Sequence, residues 1–293
     1  MENITNEEYR KRDGVSSSIL KKLLISDAHL FHVLKNGWKK TDATILGDAV
    51  HAYLLEPNRF NDMYTKEYEV YKRATGEFKA GDNKLDDEGN PICQYTGSDP
   101  ELTIKGEQYK KFESMIEAVN NCEYVMDMLD KRENVEGSFF CSYKGLLLKV
   151  RCDFMYRDEK GRLWIVDLKT VGGTKDKPSD VKTFANAMFE NGYDLQAYMY
   201  TEVIKQEIPE VYGFKFICID AKVPSGVVTY DIVPGQSEWY ELGGYRFRDA
   251  INRYKRYISS GDKKSTYNVV SGATLTLSFG AADALMQYRE RGE

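Results

Sequence analysis

Several features are scarce in this chain, and each scarcity excludes something. The five cysteines, Cys93, Cys122, Cys141, Cys152 and Cys218, stand apart with no C-x-x-C pair among them. That spacing argues against a zinc or iron–sulfur site and for reduced thiols in a cytoplasm. No apolar run approaches the ~20 residues that a membrane span needs. The opening MENITNEEYRKRDG lacks the apolar segment of a secretory signal. Positive charge is not in excess either, since 41 Lys+Arg face 46 Asp+Glu for a net charge of −5. Any nucleic-acid site must then be a local basic patch. Internal repeats and clear linkers are also missing. What remains is ordinary globular material, 42% hydrophobic and 13% aromatic over 293 residues, enough for a sizeable core. The expectation from composition is a soluble cytoplasmic protein with no membrane partner.

Apolar periodicity predicts helices over 16–35, behind a serine run, and over 44–56, ended by Pro57. Residues 72–100, rich in Gly, Asp, Lys and Asn, read as a long loop, and 101–129 as a long amphipathic helix. Strands are expected at 135–143, 146–157 and 163–169, helices at 180–190 and 194–205, and strands again in VYGFKFICID and GVVTYDIV. A helix over 236–259 closes the series, with an irregular tail behind it. Helices, a meander, helices, strands and a helix make an α/β or α+β chain built on one central sheet.

The stretch VRCDFMYRDEKGRLWIVDLKT carries two carboxylates and an ammonium on strands that are otherwise apolar. A three-residue turn at Glu159-Lys160-Gly161 would centre the hairpin on residue 160 and set Asp153 opposite Asp167. Directly opposed residues hold their Cβ atoms ~4.5–5.5 Å apart, where like charges repel. Lys169 follows two residues on and shares the face, while Trp164, Val166 and Leu168 point into the core. A bulge at the turn would slip this register by one. A two-residue turn at Lys144-Gly145 would likewise set Glu136 opposite Asp153. Three carboxylates in a row on apolar strands are costly unless a hard cation sits among them, and Mg²⁺ uses such oxygen ligands. The other reading is a solvated sheet edge that happens to carry charge.

The arrangement D-x(13)-D-x-K, with Asp153, Asp167 and Lys169, resembles the core of the PD-(D/E)xK nuclease superfamily, a restriction-endonuclease-like α/β fold with a central mixed sheet flanked by helices. LGDAVHAYLLEP, centred on His51, resembles the histidine helix of RecB-like members, and Gly47 one turn earlier would leave room above the imidazole. QAYMY, with Gln196 and Tyr200 on one helix face, resembles their Q-x-x-x-Y element. The ordered set His51, Glu136, Asp153, Asp167, Lys169, Gln196 and Tyr200 resembles the RecE-type exodeoxyribonuclease VIII nuclease domain of phages and prophages. NEEYRKRDGVSSSILKKLLISDAHLF and GATLTLS extend the likeness to nearly the whole chain, with 61–130 matching least. On that likeness, residues 1–293 form one nuclease domain: N-terminal helices with the histidine motif (1–60), a variable loop and long helix (61–130), the catalytic sheet and helices (131–222) and a C-terminal strand and helix (223–293).

The resemblance implies a Mg²⁺-dependent 5′-to-3′ exonuclease on duplex DNA ends, with Mn²⁺ able to substitute. Its 3′ overhangs would feed a RecT-type single-strand annealing protein, and it would act as a ring-shaped homo-oligomer, such as a tetramer, in the bacterial cytoplasm. Asp153 and Asp167 would bind the metal, and His51 and Glu136 would complete the site. Lys169 would orient or deprotonate the attacking water, with Gln196 and Tyr200 positioning Lys169 or the phosphate. Lys72, Arg73, Lys79 and Arg151 are candidate phosphate contacts. The alternatives are a structure-specific or restriction-type endonuclease on the same core, or a catalytically silent protein that binds DNA ends.

Overall fold

The computed structural model describes residues 1–2, 4–38, 40–69, 83–99, 102–172 and 181–260. The C-terminal tail, with GATLTLS, lies outside the described residues, as do Lys72, Arg73 and Lys79. Five helices lead the chain: α1 (Asn6–Lys11), α2 (Ser17–Ile25), α3 (Asp27–Asn36), α4 (Asp42–Leu55) and α5 (Pro57–Met63). Strands β1 (Tyr64–Tyr68) and β2 (Cys93–Gly97) pair antiparallel before α6 (Glu107–Asn120) and α7 (Glu123–Asp130). The remainder runs β3 (Ser138–Tyr143), β4 (Leu146–Arg151), β5 (Phe154–Arg157), β6 (Leu163–Val171), α8 (Val181–Glu190), α9 (Tyr193–Lys205), β7 (Val211–Asp220), β8 (Val227–Ile232) and α10 (Glu238–Ser259).

Three expectations for the helices and the long loop need correction. The helix over 16–35 is two helices, because Ser26 is extended; it ends α2 and its hydroxyl accepts the His29 N–H at the start of α3. The helix over 101–129 is also two, broken at Asn121-Cys122. The loop at 72–100 contains β2, whose pairing to β1 local composition does not reveal. Pro57 does end α4, and it also opens α5 from the first turn, where its missing N–H costs nothing.

The central sheet has the order β5-β6-β7-β8, with β6 and β7 parallel and the outer pairs antiparallel. It is thus a mixed sheet, and helices cover both faces. Side-chain alternation along β6 divides the core. Trp164, Val166 and Leu168 join Ile217 and Ile219 beneath α4, α5, α6 and α7. Leu163, Ile165 and Val171 join Phe214, Phe216 and Cys218 against α2, α8, α9 and α10. Asp167 and Lys169 therefore interrupt the second face.

Both turns follow the expected register. Tyr143 pairs with Leu146 across Lys144-Gly145, and both turn residues have positive φ, 49° and 79°. Phe154 pairs with Val166 and Arg157 with Leu163, which centres the second hairpin on residue 160, with Gly161 at φ 72°. The strand expected over 146–157 is, however, broken at Cys152-Asp153. Its first half pairs with β3 as a separate two-stranded ribbon, and its second half joins the central sheet. This break builds the site.

Candidate active site

Where β5 stops pairing at Phe154, the next positions on β6 lose their strand partner. Leu168 exposes an N–H and a C=O on that edge, and two side chains take them. The Leu168 N–H donates to Asp153 Oδ2 at 2.6 Å. The Leu168 carbonyl lies 3.0 Å from His51 Nε2. A carbonyl only accepts, so Nε2 carries the hydrogen and the lone pair of a neutral His51 is on Nδ1. Nδ1 in turn faces Asp153 Oδ2 at 3.5 Å. Burial lowers the His51 pKa and keeps the ring neutral, against the pull of Asp167. The broken ladder thus fixes both side chains through unsatisfied backbone groups.

The helix α4 reaches this edge because Gly47 is small. A Cβ there would stand 3.0 Å from Thr170 Oγ1. The glycine accommodates the end of β6 and not, as expected, the imidazole.

Asp167 is buried on the other side of the same edge. Its Oδ1 accepts from Gln196 Nε2 at 2.6 Å, and its Oδ2 meets the Lys169 ammonium. Burial opposes the Lys169 charge, but Asp167, Tyr193 and Asp153 outweigh it and raise the pKa above the usual lysine value. Lys169 is a firmly held cation. Asp153 behaves in the opposite way. Burial, with Asp167 and Glu136 close by, pushes its carboxyl well above the ordinary range, although the Leu168 N–H works the other way. Crowded, dehydrated carboxylates of this kind are relieved by a proton or a cation.

Asp153, His51, Lys169, Glu136, Leu168, Thr170 and Tyr193 line one cleft of about 570 Å³. Glu136 lies opposite Asp153, as its register requires, and its N–H donates to the Asp153 carbonyl at 2.8 Å. Its φ of 54°, however, marks a kink, and its carboxylate accepts from Arg151 Nε at 2.6 Å. Arg151 also donates to the Ile4 carbonyl and Ser138 Oγ, so its guanidinium is occupied by protein acceptors. Gln196 reaches Asp167 and not Lys169. Tyr200 is buried with the α9–α2 core and does not reach the cleft.

One contributor escaped the sequence reading. Lys21 on α2 donates from Nζ to Gln196 Oε1 at 2.5 Å. Burial, reinforced by the Lys169 charge and opposed by Asp167 and Asp194, lowers its pKa to about 7. A lysine one turn after Ser17, on the helix face that carries that buried serine, was the available signal.

The fit to a divalent cation rests on three atoms. His51 Nδ1 has a free lone pair, Asp153 Oδ2 is beside it, and Asp167 Oδ2 is buried with no aligned hydrogen bond. Among the described residues no three such side chains already converge as a ligand set, because Asp167 is turned toward Gln196 and Lys169. Hard oxygen donors with one imidazole suit Mg²⁺ or Mn²⁺.

The model of a PDDEXK-like domain of unknown function (DUF3799) matches residues 16–268. The chain belongs to this family. The match spans both acidic residues, Lys169, His51 and the Gln196 helix. A crystal structure of an Eubacterium rectale protein described as a "putative exonuclease" is similar in fold, with a TM-score of 0.57 at 16% identity, over 87% of this chain and 86% of that one. The structure of SSO0001 overlaps far less, with a TM-score of 0.29 at 14% identity over 53% of this chain and 64% of that one, and carries no argument. No curated protein matches by sequence. Among the described residues no helix is long and apolar enough to cross a membrane.

Proposed function

We propose that this chain is a divalent-cation-dependent nuclease that hydrolyses DNA phosphodiester bonds in the cleft lined by His51, Asp153 and Lys169. The observation that carries this reading is the convergence of His51, Asp153, Asp167 and Lys169 on one broken sheet edge. Asp153, Asp167 and His51 Nδ1 would hold the cation. When bound, it would polarise a phosphoryl oxygen and lower the pKa of water. Asp167 must turn from Lys169 to do so, which frees the ammonium toward the cleft. Held protonated, Lys169 orients the attacking water and offsets charge on the phosphoryl oxygens, and in this geometry it is not the base. Gln196 retains Asp167 by its other oxygen. His51 keeps its ring direction through the Leu168 carbonyl.

The finer reading is a 5′-to-3′ exonuclease on duplex ends that leaves 3′ overhangs for a RecT-type annealing protein. It rests on the likeness to RecE-type nucleases, as do Mg²⁺ as the working cation and a ring-shaped oligomer. Digestion of 5′- and 3′-labelled linear duplexes, with and without Mg²⁺, tests it. Mg²⁺-dependent mononucleotide release from 5′ ends, with covalently closed circles left intact, is the expected result. Cutting of closed circles would make the chain an endonuclease, and no hydrolysis with Mg²⁺ or Mn²⁺ would overturn the nuclease reading.

A further inference from the structure

Gln196 can satisfy Asp167 only in one orientation. A carboxylate only accepts, so the amide Nε2 must face Asp167 Oδ1, 2.6 Å away. Oε1 then points in the opposite direction and needs a donor, because the side chain is buried. Lys21 Nζ supplies that donor at 2.5 Å. A flipped amide would set its oxygen against the Asp167 carboxylate, and it would set N–H against N–H wherever Lys21 is an ammonium, which has three donors and no acceptor. Asp167 and the Lys21 ammonium therefore reject the wrong amide orientation from opposite ends of the relay.

The surroundings confine Lys21 to this task. Its Nζ and that of Lys169 each lie 4.9 Å from the Tyr193 ring centroid, so one aromatic ring is shared by two cations. Its Cγ lies 3.1 Å from where a Cβ on Gly192 would stand, so a larger residue there would press on its stem. Asp194 next to Tyr193 is engaged by Arg246 through Oδ1 at 2.7 Å and adds negative potential nearby.

We infer that Lys21, delivered from the N-terminal helix α2, is a positioning residue that fixes the Gln196 amide and through it the direction of the Asp167 carboxylate. This rests on the nuclease reading for its consequence in turnover, but not for its consequence in cation binding. Lys21 touches no reacting atom. It makes the first helices part of the site, although all the acidic residues come from β6 and the two hairpins before it.

The test uses the full chain with Lys21→Met, Gln196→Leu and the double variant. Mn²⁺ binding to the protein alone, followed by electron paramagnetic resonance, should weaken about 10- to 100-fold in Lys21→Met. kcat should fall by a similar factor with KM for duplex ends unchanged. The double variant should be no worse than Gln196→Leu, because both act through one bond. Lys21→Cys should recover on treatment with 2-bromoethylamine, which rebuilds an ammonium of similar reach, while treated wild type stays unchanged. Wild-type-like Mn²⁺ binding in Lys21→Met, additive losses in the double variant, or no recovery after alkylation would each overturn the inference. So would loss of fold in both Lys21 variants, which would make the ammonium purely structural. A wild type that binds Mn²⁺ but hydrolyses neither linear nor closed-circular DNA would defeat the nuclease reading alone, and the binding arm would still decide Lys21. A wild type that binds no Mn²⁺ overturns both.

Discussion

Two lysines on the central sheet each pair with an aspartate beside an aromatic ring, and their surroundings differ. Lys169 meets Asp167 on the face covered by α9, with Tyr193 at 4.9 Å. Lys215 meets Asp231 on the opposite face, with Trp164 at 4.5 Å and Tyr124 at 5.6 Å. The first pair is closed in on both sides, 16% and 5% exposed, and its neighbours are Asp153, Gln196 and the cleft. The second has a lysine at 2% and an aspartate at 47%, so its carboxylate is already half in water. Identical chemistry thus plugs one face and equips the other. A buried ion pair says little about function until the groups around it are counted.

The comparison breaks most sharply in turnover. Lys169→Met should lower kcat about a hundredfold to a thousandfold while the protein still folds, read by nucleotide release against a thermal melt. Lys215→Met should leave kcat per folded molecule unchanged, and equal losses in the two would erase the distinction. Stability should respond in the opposite place. Asp231→Ala strands a buried ammonium and should cost about 3 kcal/mol in urea unfolding. Lys215→Met leaves only a half-exposed carboxylate, so it should change stability by about 1 kcal/mol or less.

Divalent cations separate the pairs next. Mn²⁺ at a hundred times its Kd should stabilise the wild type by about 2.7 kcal/mol, and Asp153→Asn should lose that gain while Asp231→Ala keeps it. A smaller effect tests the support under Lys215. Trp164 Nε1 donates to Asp158 Oδ2 at 3.0 Å, and the same carboxylate accepts from Arg162 Nε and the Lys160 backbone N–H. Burial opposes this charge, yet those donors, Arg162 foremost, hold the Asp158 carboxyl well below its usual range. A depressed carboxylate adds stability above its unfolded pKa of about 3.9, and that contribution is lost as pH falls through the folded value. Asp158→Asn should therefore cost about 1 kcal/mol near neutrality and flatten the acid limb of the melting curve below about pH 4. An unchanged acid limb would show that Asp158 adds no such stability.

Much of the site could be read along the chain because turns are local. Gly161 and Gly145 set two hairpin registers, and those registers put Asp153 level with both Asp167 and Glu136. The kink at Glu136 was not legible, since a non-glycine residue at positive φ leaves no marker in the sequence. Nor was the break at Cys152-Asp153, because Leu146–Arg157 is continuously strand-like in composition. The stretch divides only because two different partners, β3 and β6, claim its two halves. Lys21 and Gln196 are 175 residues apart, and nothing local couples them.

The sequence by itself determined the elements, the two turn registers and the order of the chemical residues, because backbone conformation and side-chain alternation are set within a few residues. Only the tertiary structure decided which face each buried lysine serves, where the ladder opens, and that Leu168 gives its freed N–H and C=O to Asp153 and His51. Those outcomes depend on what remains unsatisfied when distant segments meet. Unsatisfied groups are properties of the packed chain.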